Sequence, residues 1–440
     1  MIHQVHIMLF EIKSLQDRIA HLYPKVMDLS LGRIENLLKK LGSPQESIER
    51  IIHVAGTNGK GSTLTYISSI LTASGFSVDS YTSPHLVHFN ERIKIGQKGY
   101  QEDINDAALE EILLECEQVN DGDPITIFEL ITAAAFLKFS KTKSDFLILE
   151  TGLGGRLDAT NVIKNPLVSV ITPIGIDHQQ FLGDSIQEIA LEKAGIIKDK
   201  CKTVLSYQDK NIIPIFQDII NSKNNISKIW NKDYFVIDNG EDFTYSDQKY
   251  QMSLPLPNLY GRHQIMNAGT AIATIAAIDD ISIKRESFVE GIENAEWPAR
   301  LDHLETGPLH GHVHNDTEIW IDGGHNSHAA IAIADAMRAL DKKRLILIIG
   351  MLNTKDCREF LKPFQNITDT VIAIEIPDNT NSHKPEKIVH DAESLGISAI
   401  AEIDFHSALA YARKYFDDSK RILICGSLYL AGYAMKIHRG

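Results

Sequence analysis

Short apolar runs alternate along the chain with longer stretches whose apolar residues recur every three or four positions. The first period is that of buried strands and the second that of helices packed by one face. Their regular alternation predicts an α/β architecture with a mostly parallel sheet. In the first block, residues 1–297, strands are expected at Ile51–Val54, Phe146–Glu150, Val168–Thr172 and Thr203–Ser206. Helices are expected at Leu31–Leu41, Thr63–Ser74, Thr126–Phe139 and Ser185–Ile197. Asp233–Leu256 reads as hairpins turning at Asn239-Gly240 and Asp247-Gln248, and a helix from His263 to Ile278 closes the block. Across Glu296-Trp297-Pro298-Ala299-Arg300, a hinge candidate, a second α/β block (298–440) begins. Its expected strands are Glu318–Ile321, Arg344–Ile349, Thr370–Ile376, Ala399–Ile403 and Arg421–Cys425, with helices at Ser327–Leu340, Lys384–Leu395 and His406–Phe416.

The first expected strand runs into Gly56-Thr57-Asn58-Gly59-Lys60-Gly61-Ser62-Thr63, which opens a helix. Glycines let backbone N–H groups approach oxyanions, the helix start adds partial positive charge, and Lys60 adds a full one. The segment therefore reads as a cradle for a nucleotide triphosphate, with Ser62 or Thr63 available to a magnesium ion. It departs from the common P-loop pattern, having Val54 at the first glycine position and Gly61 after the lysine. That departure points away from ordinary GTPases and transport ATPases.

Charge and cysteine usage narrow the class. A net charge of −14 argues against nonspecific nucleic-acid binding. Four cysteines far apart in the chain suggest reduced thiols and a cytoplasmic setting. No apolar segment is long enough to imply a membrane span or a signal peptide.

Further polar clusters fall at expected strand ends, where open α/β sheets bind ligands. Glu150 ends one strand beside a glycine-rich loop carrying Asp158 and Asn161, a natural place for a magnesium ligand. Another strand leads to Asp177-His178; magnesium prefers oxygen, so chemistry alone makes His178 a hydrogen-bonding residue. Ser185 and Glu188 form a capping-box signature, and Lys193 then shares the apolar stripe of Ile189 and Ala190. A lysine aimed inward must snorkel, pair, or lose its proton. In the last case its amine is able to take up carbon dioxide as a carbamate. Asn267 stands in an early helix turn, where it is able to read an adenine edge, and Arg300 at the hinge is placed to reach a phosphate. Asp322 and His325, in Asp322-Gly323-Gly324-His325-Asn326, are candidates to orient or deprotonate an amine, or to cap a turn. The run His310-Gly311-His312-Val313-His314 has no acid or cysteine at a diagnostic metal spacing and is expected to be a solvent-exposed hairpin.

These segments, together with Thr82–Leu86, Phe89–Ile93, Phe128–Leu130, Trp297–Asp302 and Cys425–Gly432, run in the order seen in one family. The chain resembles the folylpolyglutamate synthase/dihydrofolate synthase family of the Mur ligase superfamily over nearly its whole length. The resemblance implies a P-loop-type ATP-binding domain with a mostly parallel sheet plus a smaller C-terminal Rossmann-like α/β domain. It implies an ATP-dependent ligase that joins L-glutamate to dihydropteroate and to reduced folates through an acyl phosphate. A folylpolyglutamate synthase without the dihydropteroate step is the near alternative. A muramyl ligase fits the Ser83-Pro84-His85 and Glu150–Asn161 segments less well, and a nucleotide-gated binding protein is the rival from another class.

By the same resemblance, Ser83, Glu150 and His178 are magnesium ligands for two ions, joined by Lys193 as a carbamate, and a monovalent cation such as K+ accompanies them. Lys60, Asn267 and Arg300 contact ATP. Asp28, Phe128, Asp158 and Ala159 line the pterin side; Asp322, His325 and Ser427 face glutamate. A cytoplasmic monomer is the implied form. Gly324 departs from the family's more usual alanine, and the loop Pro377–Ser382 lacks an arginine-containing pattern seen in many members.

Overall fold

A computed structural model describes residues 29–415 and 420–440. Among these residues the first block contains eight strands in one sheet: β1 (Ile51–Ala55), β2 (Val78–Tyr81), β3 (Ile93–Gln97), β4 (Tyr100–Asp103), β5 (Phe146–Glu150), β6 (Val168–Ile171), β7 (Lys202–Leu205) and β8 (Ile226–Ile229), in the spatial order 4-3-2-5-1-6-7-8. Six of them run parallel, and the β3–β4 hairpin makes an antiparallel edge. Strands β1, β2, β5 and β6 are buried at every position, so both faces must be covered, as continuous apolar runs require. On one face lie the helices Lys60–Ala73, His263–Ala276 and Arg285–Glu293; on the other lie Gly32–Lys40, Asp106–Asn120 and Ile127–Thr142.

The expected hairpins appear as a three-stranded antiparallel sheet of β9 (Phe235–Asp238), β10 (Asp242–Ser246) and β11 (Gln251–Pro255). A six-stranded sheet builds the second lobe: β12 (Asp302–Leu304), β13 (Glu318–Ile321), β14 (Arg344–Ile349), β15 (Thr370–Ala373), β16 (Ala399–Ala401) and β17 (Lys420–Cys425), in the order 12-13-17-14-15-16. Only β12 is antiparallel in it. Strand β15 stops earlier than its apolar run suggests: Ile374 and Ile376 stay buried after the ladder ends. Strand β16 stops before Ile403, whose side chain is 87% exposed.

One expectation is overturned. Residues Pro308–His312 form a 3₁₀ turn, not a hairpin. Pro308 suits the start of a helical turn, and the His310 N–H to Gly307 carbonyl and Val313 N–H to His310 carbonyl bonds close three-residue turns instead of pairing with a second strand.

The lobes touch around a shared cleft. Leu86 and Val87 of the first lobe pack into the core of the second, and Gly432 faces them so closely that a Cβ there would lie 2.1 Å from the Leu86 carbonyl oxygen. Among the described residues no helix is long and apolar enough to cross a membrane.

Candidate active site

Strand β1 is flanked by β5 and β6, whose connections leave in different directions, and its carboxyl end carries the glycine turn. Such switch points open a crevice by topology alone. The carboxyl ends of β13, β14 and β17 face it from the second lobe. Between them lies a cleft of about 1920 Å³. A pocket for one small molecule is commonly ~300–1,000 Å³, so this one has room for several substrates.

The glycine turn is a cradle assembled by close contact. Gly59 adopts φ +78° and caps the helix Lys60–Ala73, which has no acidic residue in its first turn to offset its positive end. A Cβ at Gly59 would lie 2.6 Å from Asn267 Oδ1, and one at Gly61 would lie 2.7 Å from the Trp297 ring. The indole thus occupies the space a Ser or Thr would need at position 61. Thr57 and Asn58 donate backbone N–H bonds to the Pro173 carbonyl, and Thr57 Oγ1 donates to the Gly175 carbonyl. Asn267 is buried and donates to Gln264, which in turn donates to Ser62 Oγ. Ser62 lines the cleft; Thr63 is fully buried behind it and does not.

Around this cradle, ionisable groups are packed in largely buried positions. Glu150 ends β5 with its carboxylate 3.8 Å from Lys60 Nζ and accepts the Ser83 backbone N–H at 3.2 Å. Burial raises its pKa, against the opposing pull of Lys60, the Ser83 N–H and Arg300. The Ser83 hydroxyl is buried without a partner. His178 sits in the left-handed region (φ 52°), and burial, first among several influences, lowers its pKa to about 4, so its ring is neutral near pH 7. An orphaned hydroxyl and a carboxylate in one cleft are oxygen donors of the kind magnesium or manganese takes, with the neutral His178 imidazole as a nitrogen donor less usual for magnesium.

Lys193 lies on the helix Ile186–Ala194, started by the reciprocal Ser185–Glu188 capping box. Its side chain is buried and its amine donates to the Gly56 carbonyl at 2.8 Å. Burial foremost, then the charge of Lys60, lowers its pKa to about 7. The helix reaches this position because two glycines let backbones meet. A Cβ at Gly155 would lie 2.8 Å from the Glu192 carbonyl oxygen, and one at Gly195 would lie 2.4 Å from Arg156 Cα.

Asp158 and Ala159, with Phe128, line another part of the cleft. The Phe128 ring covers Gly152, where a Cβ would lie 2.3 Å from Cζ. Asp28 lies outside the described residues.

On the second lobe, both oxygens of buried Asp322 are committed: Oδ2 accepts the Leu301 N–H at 2.8 Å and Oδ1 the Gly324 N–H at 2.6 Å. The carboxylate therefore shapes its own loop. His325 Nδ1 donates to the Gly323 carbonyl at 3.0 Å, which leaves Nε2 as the other ring nitrogen, 3.6 Å from Asp177 Oδ2. Ser427 Oγ accepts the Tyr429 N–H and caps the last helix while its own proton stays available. A Cβ at Gly324 would lie 2.6 Å from Ile333 Cδ1 and 2.8 Å from Asp322 Oδ1, so glycine suits the Asp322 turn here. Arg300 donates to the Ala299 carbonyl and lines the cleft.

Sequence reasoning passed over Asp177 and its partners. Its carboxylate accepts from Asn326 at 3.1 Å and pairs with Lys355, both from the second lobe. Burial pushes its pKa upward, but the neighbouring His325 and His178 rings and the positive charge of Lys355 hold it well below the usual carboxylate range. Asn58 adds a second bridge, meeting Asn326 and His328 Nδ1. Asp177 and Lys355 both follow strands, β6 and β14, so the strand-end rule reaches both, but it does not show that they pair.

Comparison with known proteins follows this geometry. Residues 54–275 match the Mur ligase middle domain, and residues 309–428 match the Mur ligase glutamate ligase domain. The dihydrofolate synthase/folylpolyglutamate synthase of Bacillus subtilis is 31% identical over 416 residues, covering 91% of this chain and 92% of that protein. A structure of E. coli FolC in complex with DHPP and ADP aligns with a TM-score of 0.85 at 28% identity, covering 95% of each chain. A bifunctional folylpolyglutamate synthase/dihydrofolate synthase with Mn, AMPPNP and L-glutamate bound aligns at 0.82 and 26% identity, covering 95% of this chain and 96% of that one.

The Asp177 bridge gives a direct prediction. Asp177→Ala leaves the nearly buried Lys355 ammonium unpaired and should cost about 3 kcal/mol in a urea melt. In hydrogen exchange, residues 322–328 and 351–356 should lose protection while β1 and β5 keep theirs. Unchanged protection in those two loops would show that the bridge does not hold the lobes.

Proposed function

Because the chain belongs to the Mur ligase family, in the branch of dihydrofolate synthase/folylpolyglutamate synthase, we propose that it is an ATP-dependent ligase adding L-glutamate to dihydropteroate and to tetrahydrofolate polyglutamates. One observation carries this reading: a phosphate cradle and an acceptor pocket from the first lobe open into the same cleft as the Asp322–Asn326 corner of the second. We divide the chain at 297/298, just before the second sheet begins, into an ATP- and folate-binding domain and a glutamate-ligase domain.

The residues assign the steps. The acceptor's carboxylate oxygen attacks the γ-phosphorus of ATP, the bond from that phosphorus to the β–γ bridging oxygen breaks, and ADP leaves. Lys60 and the first-turn N–H groups of its helix face the charge that develops. Ser83, Glu150 and His178 would hold magnesium, which supplies neutralisation of phosphate oxygens when bound. Glutamate's amine then attacks the acyl carbon and phosphate departs. We assign its proton to His325 Nε2, because the ring's Nδ1–H is spent on the Gly323 carbonyl and leaves Nε2 as its acceptor, while Asp322 holds its own loop through the Leu301 and Gly324 N–H groups. Enclosure between two lobes protects the acyl phosphate from water. Asp322, through its loop, and the Ser427 hydroxyl orient the glutamate. Asn267 and Arg300 flank the nucleotide, and Phe128, Asp158 and Ala159 flank the pterin ring, with Asp28 joining them by resemblance.

Lys193 is the residue we assign to carbamate formation. Its neutral amine adds to carbon dioxide, forms an N–C bond and releases a proton, giving an anionic oxygen donor beside the magnesium ligands. A pKa near 7 and a buried position support this. The monovalent cation rests on the family resemblance alone. Since one chain supplies the whole cleft, a monomer suffices for the reaction, and four buried free thiols suit a reducing cytoplasm.

Two experiments test the reading. With dihydropteroate, Mg-ATP and L-glutamate, phosphate release should require all three; a requirement for a folate but rejection of dihydropteroate would reduce the activity to folylpolyglutamate synthase. Slow hydrolysis indifferent to either acceptor or glutamate would favour a nucleotide switch instead. Lys193→Ala should lower turnover by on the order of a hundredfold or more, with partial rescue by added short carboxylic acids. Full activity in that variant would eliminate the carbamate.

A further inference from the structure

Strand β1 reads Ile51-Ile52-His53-Val54-Ala55, and its single polar side chain is fully buried between Leu149 of β5 and Ser169 of β6. Burying an imidazole in such a strand is costly unless it is hydrogen-bonded. Its partner is Thr160: His53 Nε2 lies 2.8 Å from Thr160 Oγ1. Thr160 Oγ1 in turn lies 2.5 Å from Asp158 Oδ1.

The direction of these bonds follows from counting protons. An ionised carboxylate only accepts, so the one hydroxyl proton of Thr160 goes to Asp158. The Thr160 oxygen must then accept from His53 Nε2–H, which leaves Nδ1 bare. That atom is indeed buried without a partner. Burial chiefly, and the charge of Lys198, lower the ring's pKa to about 3, consistent with a neutral imidazole. Asp158 Oδ1 also accepts the Thr160 N–H at 3.0 Å, so it is filled by two donors. Oδ2 accepts the Leu153 N–H at 2.8 Å, the Gly152 N–H is also directed at this carboxylate, and Asp158 lines the cleft.

We propose that His53 and Thr160 are positioning residues for the acceptor substrate: the one-way chain His53 Nε2–H to Thr160 Oγ1–H to Asp158 Oδ1 fixes the carboxylate's rotation and presents it to the N–H donors of a planar heterocycle. The inference rests on the reading that Asp158 faces the pterin side. It also ties the acceptor pocket to the strand that carries the phosphate cradle, three residues before Gly56.

The test is steady-state kinetics on the full chain with each substrate varied in turn. Thr160→Val keeps the side-chain shape but breaks both links, and should raise KM for dihydropteroate on the order of tenfold, with KM for ATP and for glutamate and kcat little changed. Thr160→Ser keeps the hydroxyl and should stay near the unaltered enzyme. His53→Leu suits an apolar strand, removes only the far link, and should move the same KM in the same direction by less; it decides the matter should Thr160→Val not fold. An unmoved dihydropteroate KM in the folded variants, or equal rises in all three KM values, would overturn the relay. Absence of dihydropteroate turnover in the unaltered chain would instead overturn the functional reading, and the relay's role with it.

Discussion

The close backbone approach of the helix Ile186–Ala194, with its C-cap Gly195, to the loop that carries Gly155 is the constraint on which the site depends. Gly155 and Gly195 leave no room for side chains between that helix and the Gly154–Arg156 loop. The helix therefore delivers Lys193 to the Gly56 carbonyl, directly under the phosphate cradle. The same docking brings a second, buried lysine near Lys60, where like charges disfavour each other. Nearby carboxylates, Glu150, Asp158 and Asp177, offset part of that repulsion. An amine so placed is chemically unlike a surface lysine, and its neutral form becomes accessible near neutral pH.

A second constraint joins the two sheets. Parallel strands gather their polar loops at one edge, so each lobe alone offers half a site. Asp177 is the place where the halves meet, receiving Asn326 and Lys355 across the gap, while Leu86 and Val87 anchor the far side in the second core. Reaction and enclosure are in this way properties of one geometry. The chemistry of an activated acyl group requires that, because water competes with the amine whenever the lobes part.

The sequence made part of this legible for physical reasons. Strands β1, β5, β13 and β14 were readable because buried parallel strands are uninterrupted apolar runs, and Lys193 was readable because helical spacing put a charge on an apolar stripe. Capping at Ser185 and the hairpin turns at Asn239-Gly240 are local and were equally visible. The role of Asp177 was not, since its partners Asn326 and Lys355 come from segments far along the chain. Chemistry alone made His178 a hydrogen-bonding group, and family resemblance was needed to suggest otherwise. Thr63 and Ser62 are adjacent hydroxyls, and only the helix's rotation shows which faces the cleft. The histidine run at His310–His314 misled because alternation by two mimics a strand, whereas the backbone from Pro308 closes i to i+3 turns.

The central claim is that the acceptor's carboxylate is phosphorylated before glutamate's amine attacks it. Labelling that carboxylate with oxygen-18 and analysing the released inorganic phosphate by mass spectrometry tests it most directly. The account predicts one labelled oxygen in each phosphate, carried over when the amine displaces it from the acyl carbon. Phosphate free of label, formed alongside the amide product, would contradict it.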